Sequence, residues 1–202
     1  MIKIYNFPRG VRGLRAGWVC EEMDLPYQVE KFGFPPPASY RALNPLGSVP
    51  FLEDDGAVAI NESVAMMLYL AERYGPTPLL PPKNDPVLAR VLQMTVFGET
   101  TLGAPMNTLM AAHLTAPNAE KKNWSVRGTE TRVEQAIAYV VDMLGDNEFI
   151  AGKSLTLADI SVSTAFGMWQ GALGKAVPGN VAAYRERLAA RPAYQRAAKA
   201  VG

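Results

Sequence analysis

Hydrophobic spacing changes twice along the first part of the chain. Residues 2–5 (IKIY) form a short β-branched and aromatic run, and residues 27–32 alternate between apolar and polar side chains. Both patterns predict strands. Between them, apolar residues recur at helical spacing from Val11 to Val19, which predicts a helix. A strand, a helix and a second strand in such quick succession form a βαβ unit, so we expect the two strands to be parallel.

A second group of elements follows the three prolines at positions 35–37. A short amphipathic piece covers residues 40–43, and two strands at 49–53 and 58–61 flank the turn sequence DDG. Apolar residues at i, i+3, i+4 and i+7 from Val64 then predict a helix that ends at Gly75. The order β-α-β-α-β-β-α predicts an open mixed sheet with helices on both faces. We place this first domain at residues 1–76.

The rest of the chain has a different character. The proline-rich segment 77–86 predicts a stiff linker. Beyond it there is no convincing strand pattern, and residues 87–202 predict an all-helical domain. The fold class is therefore α/β followed by all-α. The predicted helices cover about 87–114, with a kink near residues 103–105, and then about 126–144, 157–171 and 181–200.

Composition narrows the possible chemistry of this two-domain chain. Of its 202 residues, 49% are hydrophobic, which is enough for a packed core. The apolar runs are too short to cross a bilayer and no secretion leader opens the chain, so we expect a cytoplasmic protein with no membrane partner. One cysteine, Cys20, and one histidine, His113, exclude a disulfide framework and most metal sites, so no metal is expected. The net charge of +1 gives no broad basic surface, so we expect no nucleic-acid partner.

The segment 44–50 (NPLGSVP) opens the third predicted strand. Pro50 cannot donate a hydrogen bond to a neighbouring strand, so it belongs at a strand edge or in a cis turn. A cis bond would turn the backbone N–H and C=O of Val49 outward, where they can pair with an extended peptide-like ligand. An ordinary turn that opens a strand explains the segment equally well.

Residues 61–63 (NES) lie where the fourth predicted strand is followed by a helix. Ser63 is a plausible N-cap, and Glu62 flanks the helix start. The free N–H groups and the positive end of the helix dipole can bind a carboxylate, while Glu62 can hold an ammonium group. A carboxylate beside an ammonium group is the signature of an amino-acid α-carbon. Simple helix capping is an equally good explanation of the motif alone.

Taken together, these features resemble the glutathione S-transferase superfamily. The element order, the segment 44–50 and the pair Glu62-Ser63 resemble its glutathione-binding half. Residues 152–160 (GKSLTLADI) resemble its helix-capping signature, in which Thr156 is the N-cap and Asp159 closes a capping box. Residues 181–194 resemble its last helix pair. The resemblance covers nearly the whole chain.

The resemblance implies a thioredoxin-like domain followed by a helical domain, with glutathione bound along the first as a co-substrate. The γ-glutamyl end of glutathione is then expected at Glu62 and Ser63, and its cysteinyl part at the backbone of Val49 before a cis Pro50. Ser48 stands where members often carry a Lys or Gln for the glycine carboxylate. The expected second partner is a small hydrophobic electrophile against the helical domain. The resemblance also implies a homodimer.

The first loop departs from the family pattern. The family activates the glutathione thiol with a Tyr, Ser or Cys there, because the thiol must be held as a thiolate. In residues 5–13 (YNFPRGVRG), Gly10 falls where many members carry Ser or Cys, and Asn6 falls about where the tyrosine classes carry Tyr. Three replacements stay open: the charge of Arg9 or Arg12, the backbone N–H groups after Gly10, and the hydroxyl of Tyr5.

The electrophile is expected to contact residues 97–106 in the helical half. Thr101 offers a polar group, Pro105 a helix kink, and Met106 an adaptable apolar wall. Core packing explains the methionine equally well. These features favour a transferase that joins glutathione thiolate to the electrophile. The alternatives are a glutathione-dependent disulfide or peroxide reductase and a non-catalytic glutathione- or ligand-binding protein. Cys20 is expected to be a buried structural thiol.

Overall fold

The protein is described by a computed structural model that covers residues 1–8 and 10–202. Its contacts divide the chain into two compact units. The first combines Met1–Thr77 with Ala189–Gly202, and the second is Pro78–Leu188. In the described part of the chain, no helix has both the length and the apolar character needed to cross a membrane.

The first unit is built on a four-stranded mixed sheet. Its strands are β1 (Ile2–Asn6), β2 (Tyr27–Lys31), β3 (Phe51–Asp54) and β4 (Val58–Ile60), and its helices are α1 (Val11–Glu22), α2 (Ala38–Leu43), α3 (Ser63–Tyr74) and α9 (Pro192–Val201). The strand order is β2-β1-β3-β4, with β1 parallel to β2 and antiparallel to β3. The predicted element order and the parallel pair are confirmed.

The two faces of β1 carry different side chains because successive residues of a strand alternate between faces. Ile2, Ile4 and Asn6 share the face on which α1 lies. Lys3 and Tyr5 share the opposite face, where the ring of Tyr5 packs against residues of α2 and β3. This alternation decides which residues at the end of β1 reach the start of α1.

The end of the chain packs on α1. The rings of Trp18 and Tyr194 meet edge to face with centroids 4.8 Å apart. The guanidinium of Arg191 donates to both carboxylate oxygens of Glu22 at 2.8 Å. These contacts place residues 189–202 in the first unit, whereas the predicted helical domain extended over 87–202.

The periodicity predicted one helix over residues 181–200, which is wrong, whereas the helix pair implied by the resemblance is present. The structure has two helices there, α8 (Gly179–Ala189) and α9, because Pro192 occupies the first turn of α9. Proline has no N–H to donate and disfavours a helical conformation in the residue before it, so a helix ends there and another begins.

The second unit contains the remaining helices. They are α4 (Val87–Phe97), α5 (Ala104–Thr115), α6 (Trp124–Leu144), α7 (Leu157–Gly167) and most of α8. A π-helical turn at Gly98–Gly103 joins α4 to α5, and a second at Met168–Ala172 follows α7. The predicted kink near residues 103–105 is therefore a local widening of the helix. At Gly98, a Cβ would come within 2.7 Å of the backbone of Ser161, so α4 and α7 pack closely.

The capping box of α7 is confirmed. The carboxylate of Asp159 accepts the backbone N–H and the hydroxyl of Thr156, at 2.8 and 3.0 Å. It also accepts the backbone N–H of Ile150 at 2.8 Å and the hydroxyl of Tyr184 at 2.9 Å. Burial raises the pKa of Asp159, and these four donors oppose that rise. This cluster organises the core of the second unit.

Candidate functional site

The start of α3 differs from the prediction in one residue. The N-cap is Glu62, whereas Ser63 is the first residue of the helix. Glu62 has φ 68° and ψ 107°, which is uncommon for a residue with a side chain, and it is exposed to solvent. A non-glycine residue in this region costs free energy, and such positions cluster at functional sites. Glu62 therefore presents its carboxylate next to a helix N-terminus.

The hydroxyl of Ser63 is hydrogen-bonded to the side chain of Arg15 in α1. The Arg15 guanidinium donates to Ser63 Oγ at 3.0 Å, and the two residues are only 1% and 3% exposed. A hydroxyl that accepts one hydrogen bond still has a proton to donate to a ligand. The buried guanidinium and the positive end of the α3 dipole both favour an anion at this point. The arrangement suits a ligand whose carboxylate binds to Ser63 and whose neighbouring ammonium group pairs with the Glu62 carboxylate.

Sequence reasoning missed the role of Arg15. The signal was present, since Arg15 lies four residues after Val11 and three before Trp18, on the apolar face of the α1 pattern. A charged residue on a buried face needs a polar partner nearby. Its partner lies 48 residues further along the chain, and sequence spacing does not reveal that pairing.

The structure brings the two sequence motifs together. The Ser48 hydroxyl lies 3.4 Å from Oδ1 of Asn61. Asn61 is the residue directly before Glu62. The carbonyl of Ser48 accepts the Asn44 side-chain amide at 2.8 Å and also the hydroxyl of Tyr40. The Val49–Pro50 peptide bond is cis, one of the two arrangements expected from the sequence. Ser48 and the Val49–Pro50 pair therefore lie beside the start of α3.

The first loop is organised around Asn6, which is fully buried at the end of β1. Its Nδ2 donates to the carbonyl of Gly10 at 2.9 Å, while its Oδ1 meets no donor among residues 1–8 and 10–202. A Cβ at Gly10 would lie 2.7 Å from Asn6 Nδ2, and one at Gly13 would lie 2.7 Å from Asn6 Oδ1. Glycine at both positions therefore lets α1 begin directly against the end of the strand.

The beginning of α1 has no side-chain cap. The N-cap is Gly10, whose own N–H donates to the carbonyl of Phe7 at 3.0 Å. The N–H groups of the following first turn have no acceptor within their own helix, as at any helix start. Arg12 lies in that turn. Arg9, the other arginine predicted to act here, lies outside the described residues.

Tyr5 lies apart from the start of α1. Its hydroxyl donates to Glu53 Oε2 at 2.5 Å, and its ring packs against Tyr40 and Phe51. Burial, followed by the hydrogen bond to Glu53, raises the pKa of Tyr5. Tyr5 also faces the opposite side of the sheet from Asn6. The hydroxyl of Tyr5, one of the three predicted ways to activate a thiol, is therefore already engaged by Glu53.

The predicted electrophile contacts separate into two groups within the second unit. Thr101 and Pro105 line an open cavity of about 720 Å³, together with Phe97, Tyr139 and other residues of α5 and α6. Met106, by contrast, is completely buried. Cys20 is buried in the first unit, and burial raises its pKa to about 12, which fits the expected unreactive thiol. Among the described residues, no group of three or more His, Cys, Asp or Glu side chains could hold a metal ion.

Comparison with known protein families agrees with this fold and site. Residues 12–73 match the model of the glutathione S-transferase N-terminal domain, and residues 104–192 match that of the glutathione S-transferase C-terminal domain. The chain belongs to the glutathione S-transferase family. Residues 12–73 of the first unit belong to the family's thioredoxin-like domain, and the helical part follows in the family order.

Individual relatives support the same assignment. The chain is 30% identical to glutathione S-transferase GstA of Escherichia coli O157:H7 over 165 residues, which is 81% of this chain and 78% of that protein. A glutathione transferase of Methylococcus capsulatus has a TM-score of 0.84 at 26% identity and is covered over 99% of its length, against 100% of this chain. A theta class glutathione S-transferase of Xanthomonas axonopodis pv. citri, solved with glutathione bound, has a TM-score of 0.80 at 27% identity, with coverage of 98% of this chain and 96% of that one.

Proposed function

We propose that the protein is a glutathione transferase that joins the thiolate of glutathione to a small apolar electrophile. The observation that carries the proposal is the start of α3, where an exposed Glu62 with a positive φ adjoins Ser63 held by a buried Arg15. This arrangement offers matched partners for the carboxylate and the ammonium group of one amino acid. The named relatives support a transferase role.

Glutathione is proposed to lie along the first unit from α3 to the start of β3. Its γ-glutamyl carboxylate accepts from Ser63 and from the first N–H groups of α3, and its ammonium group pairs with Glu62. The backbone of Val49 pairs with the cysteinyl part. The carbonyl of Ser48 accepts two hydrogen bonds, and these hold the segment before Val49 in position. Ser48 is proposed to lie nearest to the glycine end of glutathione.

Thiol activation is proposed to come from the start of α1. A free cysteine thiol has a pKa of about 8.5, and a helix N-terminus or a nearby arginine lowers it by favouring the thiolate. The first-turn N–H groups and Arg12 are the described groups that suit this role, while Asn6 holds Gly10 in place. Arg9 stays a predicted contributor. Tyr5 is the weakest candidate because its hydroxyl already donates a hydrogen bond to Glu53.

In the proposed reaction, the thiolate sulfur forms a bond to an electrophilic carbon. In a substitution, the leaving group departs with the bonding electrons; in an addition to a double bond, the π electrons move to the neighbouring atom, which then accepts a proton. Thr101 and Pro105 stay the proposed contacts for the electrophile, since both line an open cavity. Met106 supports that helix from within the core. We also expect a cytoplasmic homodimer.

A second function is favoured by one observation. Residues 5–13 contain no Ser, Thr or Cys, and the hydroxyl of their one tyrosine, Tyr5, donates to Glu53. A protein that binds glutathione without activating it would need only the α3 site. A glutathione-dependent disulfide or peroxide reductase is the other alternative, and it would have to use the bound thiol because Cys20 is buried.

The test is to bind the protein to immobilised glutathione and then titrate the thiol of bound glutathione by its thiolate absorbance. Binding with a thiol pKa well below the free value supports the transferase. Binding with an unshifted thiol pKa supports a protein that binds glutathione without activating it. Absence of binding overturns both the transferase and the binding protein.

Variants of α3 test where glutathione binds. Glu62→Ala should weaken binding at least tenfold, whereas Glu72→Ala, which removes an exposed carboxylate from the same helix, should leave it unchanged. Equal affinities for the two variants would place the ligand elsewhere.

A further inference from the structure

Two side chains from the region of the short helix α2 hold one peptide unit of the first unit in a fixed orientation. The hydroxyl of Tyr40 donates to the carbonyl of Ser48, and Nδ2 of Asn44 donates to the same oxygen at 2.8 Å. Asn44 Nδ2 also donates to the Tyr40 hydroxyl oxygen at 3.1 Å, so the three groups form a closed triangle. Tyr40 and Asn44 are buried, with 2% and 0% of their surface exposed. The carbonyl of Ser48 is therefore held from two directions by side chains that are themselves fixed by packing.

The direction of each hydrogen bond in this triangle is also fixed. Burial raises the pKa of Tyr40, so its hydroxyl keeps its proton at neutral pH and acts as a donor. The amide nitrogen of Asn44 carries two protons, one for each of its partners. The reverse orientation of that amide would bring its oxygen against the carbonyl oxygen of Ser48, which is also an acceptor. The carbonyl of Ser48 thus accepts from both side chains.

The opposite side of the same peptide unit carries a free donor. The bond between Ser48 and Val49 is not one of the cis bonds of the chain, so its C=O and N–H point in opposite directions. Since the carbonyl points toward Tyr40 and Asn44, the N–H of Val49 points away from them. Among the residues that the structure describes, this N–H has no hydrogen-bond acceptor, and Val49 is half-buried. A partly buried N–H of this kind is available to the carbonyl of a ligand.

The two sides of a peptide unit influence each other. A carbonyl oxygen that accepts hydrogen bonds draws electron density from the amide nitrogen, so the N–H of the same unit becomes a better donor. Two donors on the oxygen also prevent the peptide plane from rotating, which lowers the entropic cost of binding at the N–H. Tyr40 and Asn44 can therefore strengthen a contact at Val49 without touching the ligand.

We propose that Tyr40 and Asn44 are positioning residues for the peptide backbone of glutathione. They orient and polarise the N–H of Val49, which donates to the cysteinyl carbonyl of glutathione. The proposal rests on the proposed function, since it needs glutathione to lie along Val49. It gives this pair a role in the affinity for glutathione and no role in activating the thiol.

The test measures the affinity for glutathione by titration calorimetry. Tyr40→Phe keeps the ring in its aromatic packing and removes only the hydroxyl, and it should weaken binding about three- to tenfold. Adding Asn44→Leu removes the second donor and should weaken binding by more than about tenfold in total. The matched control is Tyr69→Phe, which removes a tyrosine hydroxyl bound to Asp54 in the same unit and should leave the affinity unchanged. Circular dichroism checks that each variant is folded.

A second ligand separates positioning from a general loosening of the site. γ-Glutamylethylamide has the γ-glutamyl end of glutathione but no cysteinyl carbonyl. Tyr40→Phe should leave its affinity unchanged, because this ligand offers the N–H of Val49 no acceptor. The pKa of the bound glutathione thiol should also be the same in Tyr40→Phe as in the unchanged protein. A merely structural role would weaken the binding of both ligands by the same factor.

The ligand-free protein provides a measurement that needs no glutathione. A carbonyl carbon is deshielded by the hydrogen bonds that its oxygen accepts, so the carbonyl ¹³C resonance of Ser48 should move upfield in Tyr40→Phe. The same resonance should stay in place in Tyr69→Phe. Magnetic resonance of the labelled protein measures both.

Three results would overturn this proposal and leave the proposed function intact. They are equal affinity of Tyr40→Phe and the unchanged protein for glutathione, an equal loss of affinity for glutathione and γ-glutamylethylamide, and a Ser48 resonance that does not move in Tyr40→Phe. If the unchanged protein binds no glutathione, the proposed function and this proposal both fail.

Discussion

Two buried polar side chains, one in each unit, differ in how completely their hydrogen bonds are made. In the second unit, each carboxylate oxygen of Asp159 accepts two hydrogen bonds. In the first unit, Asn6 donates to Gly10, but its Oδ1 meets no donor among the described residues. Both side chains have no exposed surface.

The difference separates a folding element from a candidate functional element. Buried polar groups are nearly always hydrogen-bonded, because an unmet group loses water and gains nothing in return. Asp159 meets this rule in full and holds a helix start, a strand-like segment and Tyr184 together. Among the described residues, Asn6 Oδ1 meets no donor, and it lies beside the start of α1, where the thiol is proposed to bind.

The largest effect is expected from Asp159→Ala. The change removes the acceptor for two backbone N–H groups and for the Tyr184 hydroxyl, all buried, so we expect the free energy of unfolding to fall by about 3–5 kcal/mol. Chemical denaturation measures this. Asp142→Ala removes an exposed carboxylate from α6 and should change the value by less than about 0.5 kcal/mol. A small loss for Asp159→Ala would refute the folding role.

A smaller loss is expected from Gly13→Ala. The new Cβ would press on the Asn6 amide, and we expect a destabilisation of about 1–3 kcal/mol, although alanine is the better helix former. Adding Asn6→Ala should recover part of that loss, because the clash disappears. Gly128→Ala is the control, since a Cβ there meets nothing within 4 Å. Purely additive losses in the double variant would show that the two residues are not coupled.

Asn6→Ala alone sharpens the comparison. The loss of one hydrogen bond to the Gly10 carbonyl should lower the free energy of unfolding by only about 1 kcal/mol. The pKa of the bound glutathione thiol should nevertheless rise, since the loop that carries the proposed donors is no longer fixed. Asp159→Ala, assayed while folded, should leave that pKa unchanged. A thiol pKa that rises in Asp159→Ala and stays unchanged in Asn6→Ala would contradict the assigned roles.

The smallest effect concerns the contact between α1 and α9. Burial raises the pKa of Glu22, but hydrogen bonds from Arg191 and Trp18 outweigh it, so its pKa lies below the usual value. A carboxyl group with a lowered pKa stabilises the fold at neutral pH, and this contribution disappears as the pH falls through that lowered pKa. Glu22→Gln should lower stability by about 1 kcal/mol at pH 7 and by less at acidic pH. If the free energy of unfolding of Glu22→Gln differs from that of the unchanged protein by the same amount at every pH, the ion pair is not the cause of the difference.

Periodicity and turn residues were sufficient to predict the order of elements in the first unit and the capping box of α7. The other features depended on contacts between distant residues. Ser63 was expected to cap α3, but Glu62 takes that position with a positive φ that no local rule predicts. Arg15 lies on the apolar face of the α1 pattern, but sequence spacing does not identify Ser63 as its buried partner.

The first loop shows the same limit of sequence reasoning. In the sequence, Gly10 marked only the position where many members carry Ser or Cys, whereas the structure shows that Gly10 and Gly13 both make room for one buried side chain. Tyr5 and Asn6 are neighbours in sequence, but they face opposite sides of the sheet and have different hydrogen-bond partners. Strand alternation predicts that separation, yet it does not say which face carries α1.

The return of α9 to α1 has a consequence for the order of synthesis. The strands of the first unit leave the ribosome early, but Trp18 and Glu22 must wait for Tyr194 and Arg191, which are made after the entire second unit. Domains usually fold in the order in which they emerge. Here the second unit can finish first, and the first unit is completed only when the last helix emerges. A nascent chain stalled before residue 189 would therefore expose one face of α1.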